Sequence, residues 1–469
     1  MRETAPQYAG RDNCSLHRCV FLLFLFVTAA ASMPLRAQLS FPDAIRLSVQ
    51  NSPKLKAAEN DSYKARQNHA AMKDMFIPSV VAGGGVGTAY GITLNVPTIF
   101  TINAQSLIYN GQQHSYIQSA SMDLKAAGLA LEEARYEVEE DAVITYLSLH
   151  YTQNTEAALT DEFSYAVKLV SVIQDRVNGK LDSEFDLKKA RRAALEIRLH
   201  QMQAEDNIES LREHLAGMTM LPTNELSIVP QSIPDMPEAA VAIDMNQASL
   251  ESRPESWPES PGIRSAEAHL RAKTQQARGD AQYAWRPQMS FGAQYGRISP
   301  IESVSKFYNL NGNYNTASIG VQIQLPLLDE VRKASARQSA ADAARAALDL
   351  DSFRKGEAEG RRKLQRSAAE LEVKAKLAEL NYGIAQDELQ SILIRLHAAD
   401  GSLPVTPKEE QNAHIEERQK YLELIDAKGE VMKAEVSYLR QSGQLESWLQ
   451  SSTGFVSSAQ SQGRTTPPR

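Results

Sequence analysis

The chain has 469 residues, a formal net charge of −7 and 50 basic against 57 acidic residues mixed along its length. No basic patch or basic tail stands out, so nucleic acid is not an expected partner. A mean hydropathy of −0.38 excludes a bundle of transmembrane helices.

The one long apolar run is Val20 to Ala31, preceded by Arg11 and Arg18. It is shorter than the ~20 residues that span a bilayer. With small residues after it and Leu35-Arg36-Ala37 as a cleavage signal, residues 1–37 read as a secretory signal peptide. Both cysteines, Cys14 and Cys19, lie inside it. The mature chain is then expected to lack thiols, disulfides and any cysteine-based metal site. Neither cysteine follows the run, so no N-terminal lipid is expected.

Residues 38–221 form a first unit. Ser52 and Pro53 are placed as N-cap and first position of a helix ending near Phe76, ahead of Pro78. Val80, Ala82, Gly84 and Val86 then alternate with Ser79, Gly83, Gly85 and Gly87. From Thr98, Phe100, Ile102, Ala104, Ser106 and Ile108 alternate with Thr101, Asn103 and Gln105. Period-two alternation predicts two strands with unlike faces, a hairpin turning near Tyr90 to Pro97. The Gly83–Gly87 run lacks the features of a phosphate loop, and reads as strand glycine in a curved sheet.

Helical periodicity resumes after Gly111, with Ile117, Leu124, Leu131 and Val138 seven apart and no proline between Pro97 and Pro222. A helix from Gln112 to Val177 would be roughly 100 Å long. Asn178-Gly179 reads as its C-cap. The return helix carries a seam at Leu187, Ala190, Ala194, Ile197, Gln201, Ala204, Ile208, Leu211 and Leu215, spaced three and four as in a coiled coil.

Residues 222–260 are punctuated by prolines and read as a linker with at most short elements in it. Residues 261–450 then repeat the first unit. Ser260-Pro261 corresponds to Ser52-Pro53, and Pro287 to Pro78. Met289, Phe291, Ala293 and Tyr295 alternate with polar residues and glycine, as do Ala317, Ile319, Val321, Ile323 and Leu325. A long helix starts near Glu330 with Ala343, Leu350, Leu364, Leu371, Ala378 and Ala385 on heptad spacing, interrupted by Glu357. After a proline-containing turn assigned to Gly401–Ile415, a second seam runs through Leu422, Ile425, Gly429, Met432, Val436 and Leu439. Residues 451–469 read as a disordered tail.

The architecture is a tandem duplication: mainly α, with long coiled-coil hairpins and four amphipathic strands. Strands with one apolar face in an exported chain suggest an outer-membrane barrel wall. Four strands cannot close a barrel, so several chains would have to share one.

At this point the chain resembles the TolC family of outer-membrane efflux proteins. Besides the duplicated order, the resemblance rests on Asp43-Ala44-Ile45 with Asn51-Ser52-Pro53, and on Ile77-Pro78 and Arg286-Pro287. It also rests on Leu107-Ile108-Tyr109-Asn110-Gly111 and Leu325-Pro326-Leu327-Leu328-Asp329, and on Arg176-Val177-Asn178-Gly179-Lys180-Leu181 followed by Phe185-Asp186-Leu187. It implies a homotrimer with a shared twelve-stranded barrel in the outer membrane and an α-barrel across the periplasm. A periplasmic adaptor (membrane fusion protein) and an inner-membrane pump or ABC exporter would dock at the tip. Substrates would pass in efflux or type I secretion without chemistry. Two features depart from the pattern: the long second turn, and Glu330-Val331 where the family has a glycine pair.

No catalytic set, cofactor motif or metal set is found. The histidines, His200 and His214 among them, read as surface residues. The acidic runs Glu132-Glu133 and Glu139-Glu140-Asp141 read as solvated helix faces or pore lining. The candidate gate is at the tip: Gly179, Lys180, Asp182 and Asp186 at the first turn, Asp400 and Gly401 at the second. Threefold copies of these carboxylates would form rings favouring cations. The competing reading is ordinary helix N-terminal carboxylates. The alternative to the channel is a soluble periplasmic coiled-coil adaptor or structural protein.

Overall fold

A computed structural model of the chain describes residues 37–85, 98–223, 226–236, 258–282, 286–298, 315–326, 329–397 and 406–453. The elements in chain order are β1 (Ala37–Leu39), α1 (Phe41–Asn51), α2 (Pro53–Asp74), β2 (Ser79–Gly84), β3 (Thr98–Asn110), α3 (Gln113–Asn178) and α4 (Glu184–Thr219). There follow β4 (Leu226–Ile228), a 3-10 turn (Pro230–Ser232), α5 (Pro261–Asp280), β5 (Gln288–Ile298), β6 (Asn315–Gln324), α6 (Glu330–His397), α7 (Pro407–Gln441) and α8 (Leu445–Thr453).

The duplicated order expected from the sequence is present, and the two long helices have 66 and 68 residues. At 1.5 Å per residue each is about 100 Å long. Both hydrophobic seams are used. On α4, Leu187, Ala190, Ala194, Ile197, Gln201, Ala204, Ile208 and Leu215 are all buried. Gln201, the polar member, donates to Thr160 Oγ1 at 2.9 Å. On α7, Ile425, Val436 and Leu439 are buried, and Gly429 sits against the Tyr151 ring, where an added Cβ would come within 3.2 Å.

The packing order is the same at every level. Near the sheet the helices run α2–α3–α5–α6; towards the far end they run α4–α3–α7–α6. The sheet follows suit as β2–β3–β5–β6, entirely antiparallel. The two hairpins are therefore halves of one sheet, joined between β3 and β5. Their register places Ile102 opposite Tyr295 and Ala104 opposite Ala293. Each strand adjoins one helix in sequence (α2 before β2, α3 after β3, α5 before β5, α6 after β6), so one order holds from end to end.

Between the two levels lies the principal core. Phe41, Ala44, Tyr146, Leu147, Leu149, Leu215, Val436, Leu439 and Trp448 are buried together. Phe41 meets the rings of Tyr146 and Trp448 edge-on.

Several expectations need correction. Phe41–Asn51 is a helix of its own, capped by Ser40, whose hydroxyl accepts from Asp43 N–H. Ser52 is the N-cap residue of α2 and Pro53 its first residue, as expected, but Ser52 follows α1 directly; its N–H bonds the Ser48 carbonyl and its side chain makes no capping bond, whereas Ser260 does cap α5. Both short helices end earlier than expected, at Asp74 and Asp280. The linker, by contrast, holds only short elements among the described residues, as expected: the 3-10 turn and β4, which pairs in parallel with β1. The second turn does not extend to Ile415, because α7 starts at Pro407. Proline suits the first helical position, and Thr406 and Glu409 form a capping box there. The helical part of the C-terminus runs on to Thr453, with Leu449 in the core. Among the described residues, no helix is long and apolar enough to cross a membrane.

Candidate functional site: the helical tip and the amphipathic sheet

The first tip turn is built by backbone hydrogen bonds. Leu181 N–H reaches the Arg176 carbonyl at 2.8 Å and Lys180 N–H the Val177 carbonyl at 2.9 Å. This is a Schellman closure, which requires one left-handed residue after the cap. That residue is Lys180, at φ 60°, while Gly179 keeps φ −78°. Gly179 is the C-cap, as the sequence indicated, and the left-handed residue follows it.

Asp182 then takes two hydrogen bonds from Arg176, from Nε at 2.9 Å and Nη2 at 3.2 Å. Lys408 Nζ, from the first turn of α7, lies 3.3 Å from the same carboxylate. The hydrogen bonds from Arg176, followed by those from Lys408, hold Asp182 below the usual carboxylate range. Asp186 has a different task. Its backbone N–H is bonded by Ser183 Oγ, and its carboxylate accepts from Ser183 N–H and hydroxyl, a complete capping box for α4. Of the candidate gate residues, then, Asp182 bridges two hairpins and Asp186 caps a helix. Asp400 and Gly401 lie outside the described residues.

Sequence reasoning missed the polar contacts above the tip. His414 stacks flat on Tyr165, with ring centroids 4.4 Å apart, and its burial lowers its pKa. Glu162, itself buried, accepts from Gln419 at 3.1 Å. Glu417 is buried beside Arg418, which also approaches Asp161 at 3.6 Å. Only the tertiary pairing of α3 with α7 brings these residues together.

The acidic runs are likewise not simple wet faces. Arg440 of α7 pairs with Glu133 at 2.8 Å and with Glu140, while Glu139 is buried against Arg135. Glu357, which interrupts the α6 heptads, accepts from the Ser260 hydroxyl at 2.6 Å and pairs with Arg361. It ties α6 to the start of α5. Among the described residues, no group of three metal-ligating side chains comes together.

The sheet has two unlike faces. Register aligns Met289 with Ile323, Phe291 with Val321 and Ala293 with Ile319, and continues through Ala104 to Val80. This apolar face is uncovered: Ile319 is 78 % exposed. The opposite face aligns Asn103 with Gln294 and Ser318, and Ser290 with Gln322. These polar residues line a cavity of about 1050 Å³ whose helical end is formed by Asp74 and Met75.

Both lateral edges are open as well. Among the described residues, β2 and β6 each have a strand neighbour on one side only. Below them, α4 leaves Leu195, Leu199 and Met202 exposed, and α6 leaves Val373, Leu377, Leu380 and Ile384 exposed. Each set has the three-and-four spacing of a coiled-coil seam.

Comparison with solved structures gives the same architecture. The outer-membrane channel OprN matches with a TM-score of 0.65 at 17% identity, over 87% of this chain and 90% of that one. The Campylobacter jejuni CmeC outer membrane channel matches with a TM-score of 0.67 at 15% identity, over 86% of each chain. The outer membrane protein VceC of Vibrio cholerae matches with a TM-score of 0.65 at 14% identity, over 86% of this chain and 96% of that one. The chain has the fold of the TolC-family outer-membrane channels. No protein-family model matches the sequence, and no curated protein matches it. In this fold each half contributes two strands of the sheet and one of the two long helices. The duplicated sequence is thus two structurally equivalent halves.

Proposed function

We propose that the chain is one subunit of a homotrimeric outer-membrane channel. It serves as the exit duct of a tripartite efflux or type I secretion system and carries out no chemistry. The observation that carries this reading is the coincidence of open edges. Among the described residues, the β2/α4 side and the β6/α6 side each lack a neighbour, and each carries an exposed apolar seam. A ring of copies satisfies both at once: β6 of one subunit pairs with β2 of the next, and α6 packs on α4. Closure matters because an unpaired strand edge in lipid costs several kcal/mol per backbone group. Three copies of four strands make a twelve-stranded barrel, above the eight or so needed for closure.

In that assembly Ile319, Val321 and Val80 meet lipid and the Asn/Gln face meets the lumen. The long helices extend into the periplasm, where their tips meet an adaptor and, through it, an inner-membrane pump. A soluble coiled-coil adaptor would leave the apolar sheet face in water at ~25 cal/mol per Å². The test is outer-membrane fractionation followed by gel migration with and without boiling. A heat-sensitive trimer in the outer-membrane fraction supports the channel; a soluble periplasmic monomer overturns it.

A further inference from the structure

The strand residues on the polar face are Ser79, Thr101, Asn103, Gln105, Ser290, Gln294, Thr316, Ser318 and Gln322, with Val81, Leu107 and glycines between them. None is charged. Each row across the sheet is neutral: Val81–Asn103–Gln294–Ser318, and Leu107–Ser290–Gln322 four residues further down β3. No aromatic ring interrupts these rows. In the cavity bounded by this face, Asp74 is the one charged residue among the described lining, and it sits at the end where α2 hands over to β2. Its neighbour Met75 fixes that position: its carbonyl accepts from Leu107 N–H at 2.9 Å.

Charge in a lumen is what tunes a barrel's selectivity, because a ring of like charges in a confined space raises or lowers the local concentration of each ion. Amide and hydroxyl side chains carry both donors and acceptors and favour neither sign. We propose that the barrel lumen of this chain does not select by charge, and that Asp74 at its helical mouth is the barrel's specificity-determining residue, favouring cationic solutes. This rests on the channel reading, which makes the polar face the lumen. The solutes admitted freely by the upper barrel are those that trade water for amide and hydroxyl contacts: neutral, hydrogen-bonding molecules as readily as ions. Three symmetry copies would place three Asp74 carboxylates around the helical mouth. Their field extends about one Debye length, ~8 Å at physiological salt. The Ser290–Gln322 row lies nearer the Asp74 mouth, and in the closed ring Gln322 on β6 stands beside β2 of the next subunit, which brings that subunit's Asp74 to it. The Asn103–Gln294 row is four residues up, roughly 13 Å at 3.3 Å per residue, and so beyond it.

The test uses the full chain in outer membranes, with Cys14 and Cys19 changed to Ser. Single cysteines are introduced as Gln294→Cys, Gln322→Cys and Ile319→Cys. Each variant is first checked for the heat-sensitive trimer. Each is then labelled at 0.15 M salt with a cationic and an anionic methanethiosulfonate, and rates are divided by those of a free thiol. The expected result is a cation-to-anion ratio within about twofold of the free thiol at Gln294→Cys, and above about threefold at Gln322→Cys. Adding Asp74→Asn should return the second ratio to that of the first. A preference beyond about tenfold for either sign at Gln294→Cys overturns the neutral lumen. A preference at Gln322→Cys that is absent, or that survives Asp74→Asn, overturns the role of Asp74. Labelling of Ile319→Cys with Gln294→Cys inert inverts the faces of the sheet, and overturns the channel reading itself together with the proposal.

Discussion

Lys408 lies 3.3 Å from Asp182, so the first turn of α7 is tied to the turn that joins α3 to α4. The two residues are 226 apart in sequence. Arg176 holds the same carboxylate from the other side, so Asp182 is the shared partner of both cations. Losing the shared member should cost more than losing either cation alone. Asp182→Ala is expected to speed proteolytic cleavage of the tip turn more than Lys408→Ala does, and the double variant should match Asp182→Ala. Additive effects would show that the two contacts are independent. The pH dependence follows from the lowered pKa of Asp182. A depressed folded-state pKa contributes stability above the unfolded value and loses it as pH falls through the folded one. The tip should therefore stay protected at neutral pH and loosen only below the ordinary carboxylate range.

At the same turn, the left-handed backbone falls on Lys180 and not on Gly179. A side chain in that region costs roughly 1–2 kcal/mol, offset in part by glycine's larger unfolded-state entropy. Lys180→Gly is expected to raise the thermal midpoint slightly, by up to about 1 kcal/mol of stability. Gly179→Ala should be nearly silent, because its Cβ would meet Asp175 and Arg176 carbonyls no closer than 3.5 Å. The reverse pattern in calorimetry would place the strain at Gly179.

Tyr146 anchors β1 and β4 to the core. Its hydroxyl accepts from Val229 N–H at 3.0 Å and donates towards the Leu39 carbonyl at 3.0 Å. Tyr146→Phe keeps the ring packed on Phe41 and leaves these two groups only the longer bond between them, Val229 N–H to the Leu39 carbonyl at 3.3 Å. The net loss of hydrogen bonding costs about 0.5–1.5 kcal/mol. The expected outcome is a lower unfolding midpoint with the helical circular dichroism spectrum unchanged at low temperature.

Glu435 on α7 is pushed up to about 6, chiefly by burial and then by the charge of Glu372. For an acid whose folded pKa is raised, the protonated form favours the folded state. This group's contribution therefore falls as pH rises from its unfolded value through 6. The shift would be worth up to about 2 kcal/mol if fully buried; partial solvent exposure reduces that to about 1. Glu435→Gln should flatten the pH dependence of the unfolding midpoint between pH 4.5 and 6. An unchanged slope would assign the pH dependence to other groups.

The edge seams make a separate prediction. Leu377 and Leu199 are exposed in the single chain and belong to opposite edges. Leu377→Asp and Leu199→Asp should leave the protomer folded, since neither side chain is in its core, yet abolish the heat-sensitive trimer. Retention of the trimer by both variants would remove these seams from the assembly.

Periodicity was enough to reveal the duplicated order, the two seams and the four strands. Apolar spacing follows local geometry: three and four for a helix face, two for a strand face. The long helix of Gln113–Asn178 was legible because no proline interrupts it, and the buried face of α4 because only Gln201 departs from its apolar seam. What sequence alone could not supply is which elements lie side by side. Only the tertiary structure joins β3 to β5, makes Glu133 and Glu140 partners of Arg440 and turns Glu357 into a tie to Ser260. It also places the left-handed residue at Lys180, one position after the expected cap Gly179, because hydrogen-bond geometry at a helix end selects a position, not a residue type. A charged residue on a helix has the same local signature whether it faces water or an oppositely charged partner more than two hundred residues away. That difference is decided by packing.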